Sequence, residues 1–134
     1  MQLIDTNVLL RLFLNDDEAQ VEAVEKILLK GFREKKKFFV SDLAVAEIVW
    51  VMEKQYLMPP QVIAVYLRSA FDDEKFNFEN RERLLTGLSF YEQHEVDYID
   101  AYQAALVQEK GLEAVVSFDK DFSYLPVKWI NPDK

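Results

Sequence analysis

Short apolar stretches alternating with longer amphipathic ones predict an α/β fold: a three-layer α/β/α sandwich around a short-stranded parallel sheet. Three observations carry this expectation. The stretches Leu3-Ile4, Phe38-Phe39-Val40 and Ala114-Val115-Val116 are too short for helices. Segments of helical periodicity lie between them, so successive strands need crossovers and run parallel. Only 3 glycines and 4 prolines punctuate 134 residues, so connections are short. By length the whole chain, 1–134, is expected to form a single domain.

Gln2 to Ile4 reads as a strand and Asn7 to Leu14 as a helix that follows almost at once. Asn15 and Glu18 have the spacing of a capping box, which starts a helix running to about Phe32. Its apolar face is expected to hold Val21, Val24, Ile27, Leu28 and Phe32. Arg33-Glu34-Lys35-Lys36-Lys37 reads as a polar surface connection, and Phe38 to Val40 as the second strand. Ser41 or Asp42 caps a helix to about Gln55, with Trp50 and Met52 expected in the core. Pro59-Pro60 opens a helix to about Ala70, followed by a short strand over Phe76 to Phe78. Asn80 caps a helix bearing Leu84, Leu85, Leu88 and Tyr91, at whose end His94 suits the dipole and carries no catalysis. Asp97 caps a helix stopped at Gly111. Ala114 to Val116 is a strand, Asp119 to Phe122 a turn or short helix, and Val127 to Ile130 the last strand.

Composition narrows the chemistry. Half the residues are apolar and 13% aromatic, which excludes disorder. No cysteine is present, so disulfides, thiolate zinc sites and a cysteine nucleophile are excluded. The single histidine, His94, rules out a multi-histidine metal site. No run approaches the roughly 20 apolar residues of a membrane span, and the N-terminal segment lacks a charged-then-apolar leader. The expectation is a soluble, cytoplasmic protein. A net charge of -8 argues against gripping nucleic acid by bulk electrostatics, although bound divalent ions reverse the field locally.

Four acids interrupt or end apolar stretches: Asp5 after Leu3-Ile4, Glu47 between Leu43 and Met52, Asp100 before Ala101-Tyr102, and Asp119 after Ala114 to Phe118. A buried, unpaired carboxylate costs several kcal/mol, roughly, or takes up a proton. Ligands of open parallel sheets bind beyond the carboxyl ends of the strands, where the predicted elements place all four acids. Oxygen ligands without His or Cys select Mg²⁺ or Mn²⁺, and such ions suit phosphodiester hydrolysis.

Several assignments have structural alternatives. Asp5 is also a favoured helix cap. Asp97 and Asp100 share a helix face; Asp97 is the better cap and Asp100 the ligand, with Asp97 as a supporting contact. Asp119 lies nearer its strand than Asp121, which is expected to cap the local turn. Arg11 and Lys120 are weaker candidates for contacts to substrate phosphates.

At these residues the chain resembles PIN-domain ribonucleases of the small, VapC-like kind found as toxins of type II toxin–antitoxin pairs. The matching segments are Leu3 to Arg11, Ala46 to Trp50, Val96 to Ala101 and Val116 to Phe122. The resemblance implies that Asp5, Glu47, Asp100 and Asp119 form a catalytic, metal-binding quartet that uses Mg²⁺ or Mn²⁺ to cleave RNA. It further implies that Thr6, Asn7 and Ser117 support the site, that the protein is a homodimer, and that a cognate antitoxin occupies its groove. The competing reading is a non-catalytic PIN fold that binds RNA or sequesters an antitoxin. A haloacid-dehalogenase-like phosphatase also has an Asp after its first strand, but wants a second Asp where this chain has Asn7.

Overall fold

The computed structural model describes all residues, Met1–Lys134. The chain folds as two compact units, Met1–Asn80 and Arg81–Lys134. In the first, strands β1 (Gln2–Leu3), β2 (Phe38–Val40) and β3 (Phe76–Phe78) form a parallel sheet in the order β1-β2-β3. Helices α1 (Thr6–Leu14) and α2 (Glu18–Arg33) connect β1 to β2; α3 (Asp42–Lys54) and α4 (Pro60–Phe71) connect β2 to β3. Parallel neighbours require such crossovers because a tight turn cannot reverse the chain twice. The register pairs Gln2 with Phe38, and Phe38 in turn with Phe76.

Leu9, Leu10, Val40, Val45, Ile48, Met52, Ile63 and Leu67 fill the core of this unit. Gly31 of α2 lies so close to Phe38 that an added Cβ would stand 2.8 Å from its ring, so a larger residue there would push the Phe38 ring aside. At the other end of β2, the Ser41 hydroxyl accepts from the Ala44 N–H at 3.1 Å. Glu79, just past β3, accepts from the Asp42 N–H at 2.9 Å. Two acceptors therefore hold the start of α3, which carries Glu47.

The second unit contains α5 (Arg81–Gln93), α6 (Tyr98–Lys110) and a parallel pair, β4 (Val115–Val116) and β5 (Trp129–Ile130). A 3₁₀ helix, Lys120–Tyr124, lies between the two strands. Gly87 lets α5 approach α6, since a Cβ there would already stand 3.3 Å from the Tyr102 backbone. Arg83 bridges the same helices, donating to both Glu109 oxygens at 2.7 and 3.1 Å and to the Tyr102 hydroxyl at 2.9 Å. Such a two-pronged pair raises the Arg83 pKa and lowers that of Glu109, each chiefly through the hydrogen bonds between them.

The expected α/β elements are present in the expected order, with three local corrections. Asn15 does not start α2: it ends α1 in the left-handed conformation (φ 51°), and Asp17 caps α2 by accepting from Gln20 N–H at 3.2 Å. Ile27 and Phe32 are more than half exposed, because the buried stripe of α2 runs through Val21, Val24, Leu28 and Gly31 instead. Met52 is core, but Trp50 is 57% exposed. Asn80, as expected, stands directly before α5, and it donates its side-chain amide to Asp42 at 3.0 Å. No helix is long and apolar enough to cross a membrane.

Candidate metal centre

Asp5 directly follows β1 and stands at the cap position of α1. Its backbone carbonyl accepts from Val8 and Leu9 at 3.1 and 3.3 Å, while its carboxylate makes no capping bond. The cap explanation for this acid therefore fails, and its exposed carboxylate is uncommitted. Thr6 beside it is buried and Asn7 exposed. Glu47 lies on the second turn of α3 and is also exposed, on a face shared with Leu43 and Trp50. Its apolar sequence neighbours Val45, Ile48 and Val49 point inward instead. The premise that all four acids are buried is thus overturned: on a helix, neighbours in sequence lie on different faces.

In the second unit the carboxylates meet. One oxygen each from Asp100, Asp119 and Asp121 lies within 4.8 Å of the others. Asp100 projects from the first turn of α6 and is half-buried; its Oδ2 is inaccessible and has no hydrogen-bond partner. Burial, then the adjacent Asp119 charge and a side-chain hydrogen bond with Asp119, push its pKa up to about 6, with Asp97 and Asp121 adding smaller repulsions. Ionised Asp100 at neutral pH therefore lacks a positive partner. A buried unsatisfied acceptor costs about 1–3 kcal/mol, more if charged, and a cation at this point removes that cost.

The Asp119 loop is held from within. Ser117 Oγ accepts from the Asp119 N–H at 3.0 Å, and Asp119 Oδ1 accepts from the Asp121 N–H at 2.9 Å. Asp119, not Asp121, therefore caps the 3₁₀ helix, which reverses the sequence expectation. Asp121, read from the sequence chiefly as a cap, places an oxygen in the same cluster as Asp100 and Asp119. Asp97 occupies the cap position of α6 but accepts no capping bond.

The two basic candidates differ. Arg11 is held by Asp16 at 2.8 Å, whose second oxygen accepts from the Tyr56 hydroxyl at 2.9 Å. Lys120 is exposed, between Asp119 and Asp121 in the chain.

Short parallel strands with carboxylates at helix starts and past strand ends define a class of α/β protein suited to a hard divalent cation. The donors present, carboxylate oxygens with one left unsatisfied, fit Mg²⁺ or Mn²⁺. Residues 3–128 match the PIN domain, and the chain belongs to that family. It is similar to the VapC ribonuclease of Aquifex aeolicus (strain VF5), with 29% identity over 132 residues, 98% of this chain and 97% of that protein.

Proposed function

We propose that this protein is a Mg²⁺- or Mn²⁺-dependent endoribonuclease that hydrolyses phosphodiester bonds of single-stranded or structured RNA. On this reading it is the toxin of a toxin–antitoxin pair, a cytoplasmic homodimer built from one PIN domain over 1–134. Family membership and the VapC ribonuclease relative support the ribonuclease reading. The single observation that carries it is the partnerless, buried Oδ2 of Asp100 beside Asp119 and Asp121.

In this proposal Asp100, Asp119 and Asp121 hold the metal, and Asp5 and Glu47 are further catalytic carboxylates. A bound divalent ion supplies Lewis acidity toward the phosphate and offsets the charge that builds up during hydrolysis. Ser117 orients Asp119 through its backbone, and Thr6, Asn7 and Asp97 support their neighbours. Lys120 is the better phosphate contact, because Arg11 is already engaged by Asp16.

The test is RNA cleavage by the purified chain with Mn²⁺ or Mg²⁺, abolished by EDTA and by Asp5→Asn. In parallel, Mn²⁺ should raise the melting temperature, with about 2.7 kcal/mol of added stability at a hundredfold excess over its Kd. RNA that is bound but returned intact, with no Mn²⁺ uptake, would instead establish the non-catalytic RNA-binding or antitoxin-sequestering reading. A small gene for a DNA-binding antitoxin beside this one would support the toxin assignment.

A further inference from the structure

Charge is unevenly spread along this chain. Residues 26–37 hold six cations (Lys26, Lys30, Arg33, Lys35, Lys36, Lys37) and one acid, Glu34, a net +5; the other 122 residues sum to -13. All six cations are exposed, at the end of α2 and the approach to β2. A hollow of about 450 Å³ opens there, lined by Gln2, Lys30, Glu34, Lys36, Lys37 and Phe38. It lies at the amino ends of β1 and β2, the sheet edge opposite the one from which Asp5 emerges.

Two of these ions have pairs, Lys26 with Glu22 and Lys36 with Glu34, at 3.4 and 3.5 Å between well-exposed groups. Such pairs contribute little. The C-terminal dipole of α2 amounts to about half a charge, and accounts for one or two lysines rather than a run of this density.

Lys35 gives an independent sign. The Lys36 N–H bonds to the Gly31 carbonyl at 2.8 Å, and the Lys35 N–H to the Phe32 carbonyl at 3.1 Å. This is the six-to-one, five-to-two closure of a helix end, whose left-handed position favours glycine. Here that position holds lysine, at φ 57°. A cation stands where glycine would be less strained. Phe32, in the same turn, exposes 53% of its surface.

We propose that the α2–β2 corner is a docking site for single-stranded RNA, with Lys30, Lys35 and Lys37 on phosphates and Phe32 as a stacking platform for a base. This rests on the ribonuclease reading and deepens it. A chain otherwise at -13 repels its polyanionic substrate, and this segment supplies the missing attraction. Exposed aromatic surface among cations favours nucleic acid over an acidic protein, because every base has a face to stack. The strands are two or three residues long, so the two sheet edges stand only about 10 Å apart at roughly 3.3 Å per residue.

The test is fluorescence anisotropy of the full-length chain with a short labelled single-stranded RNA, in EDTA, across about 50 to 200 mM salt. Wild type should bind with a steep salt dependence. The triple substitution Lys30→Gln, Lys35→Gln, Lys37→Gln should flatten the slope of log affinity against log salt by about 2, at roughly 0.7 per phosphate lost. Phe32→Ala should weaken binding about tenfold without changing that slope. Lys35→Gly should raise the melting temperature yet weaken binding, opposite movements that a purely structural lysine would not give. An unchanged slope in the triple variant overturns the proposal, as does no RNA binding by wild type, or equal lysine-dependent binding to polyglutamate or phosphatidylserine vesicles. If no RNA is cleaved with Mn²⁺ but this binding pattern holds, the ribonuclease reading fails and the docking site stands.

Discussion

Helices α3 and α6 each carry an acid in an apolar setting, Glu47 and Asp100, yet the two acids have opposite environments. Glu47 stands on an exposed face beside Leu43 and Trp50, 70% and 57% exposed. Asp100 hides an oxygen that nothing satisfies. Their helix starts differ in the same sense. α3 is fastened by Ser41 and Glu79, whereas Asp97 leaves its capping role unfilled. The difference teaches that an acid's sequence neighbours do not report its burial. One helix start is fastened by two side-chain acceptors, while the other has no side-chain capping bond and tolerates the repulsion between Asp97 and Asp100.

Asp100→Asn should sharpen the contrast most. RNA cleavage is expected to fall by at least about a hundredfold, since metal-assisted charge stabilisation is worth several kcal/mol. In the metal-free protein the same change should raise stability near pH 7. The sign follows from linkage: Asp100 has a folded pKa of about 6, above the ordinary carboxylate value. The folded state thus holds more protons than the unfolded chain from about pH 4 to pH 6, and stability falls as pH rises through that window. Urea melts at both ends of the window should show this slope in wild type and a flatter one in Asp100→Asn. Equal slopes would mean that Asp100 is not the strained acid.

Glu47→Gln should reduce RNA cleavage but move stability by no more than about 0.5 kcal/mol, as expected of an exposed side chain. Cleavage assays and thermal melts check both halves. A clear loss of metal-free stability would make Glu47 a structural residue and erase its difference from Asp100.

Asp97→Asn should have the smallest effect, a few tenths of a kcal/mol, because no capping bond is lost. Ser41→Ala, which removes a formed cap on α3, should cost about 1 kcal/mol. Equal penalties in thermal melts would show that the two helix starts do not differ as described.

Much of this protein was legible in its sequence. The alternation of short apolar and long amphipathic stretches placed the strands and helices in order, because periodicity depends on local backbone geometry. Gly111 as a helix stop and Pro60 at the start of α4 followed from backbone constraints on single residues. Lack of cysteine and scarcity of histidine fixed the donor chemistry as oxygen.

Other features depend on which side of an element meets another, and local pattern does not carry that information. Ile27, Phe32 and Trp50 fit an apolar stripe by spacing, but the partner surfaces leave them at the water boundary. The cap of the 3₁₀ helix fell to Asp119 and a place in the acidic cluster to Asp121, because the Ser117 hydroxyl turns the loop that way. Only the folded chain decided that Asp100 would bury an oxygen against two other carboxylates. Burial and charge proximity are sums over residues distant in sequence, so they exist only once the chain has packed.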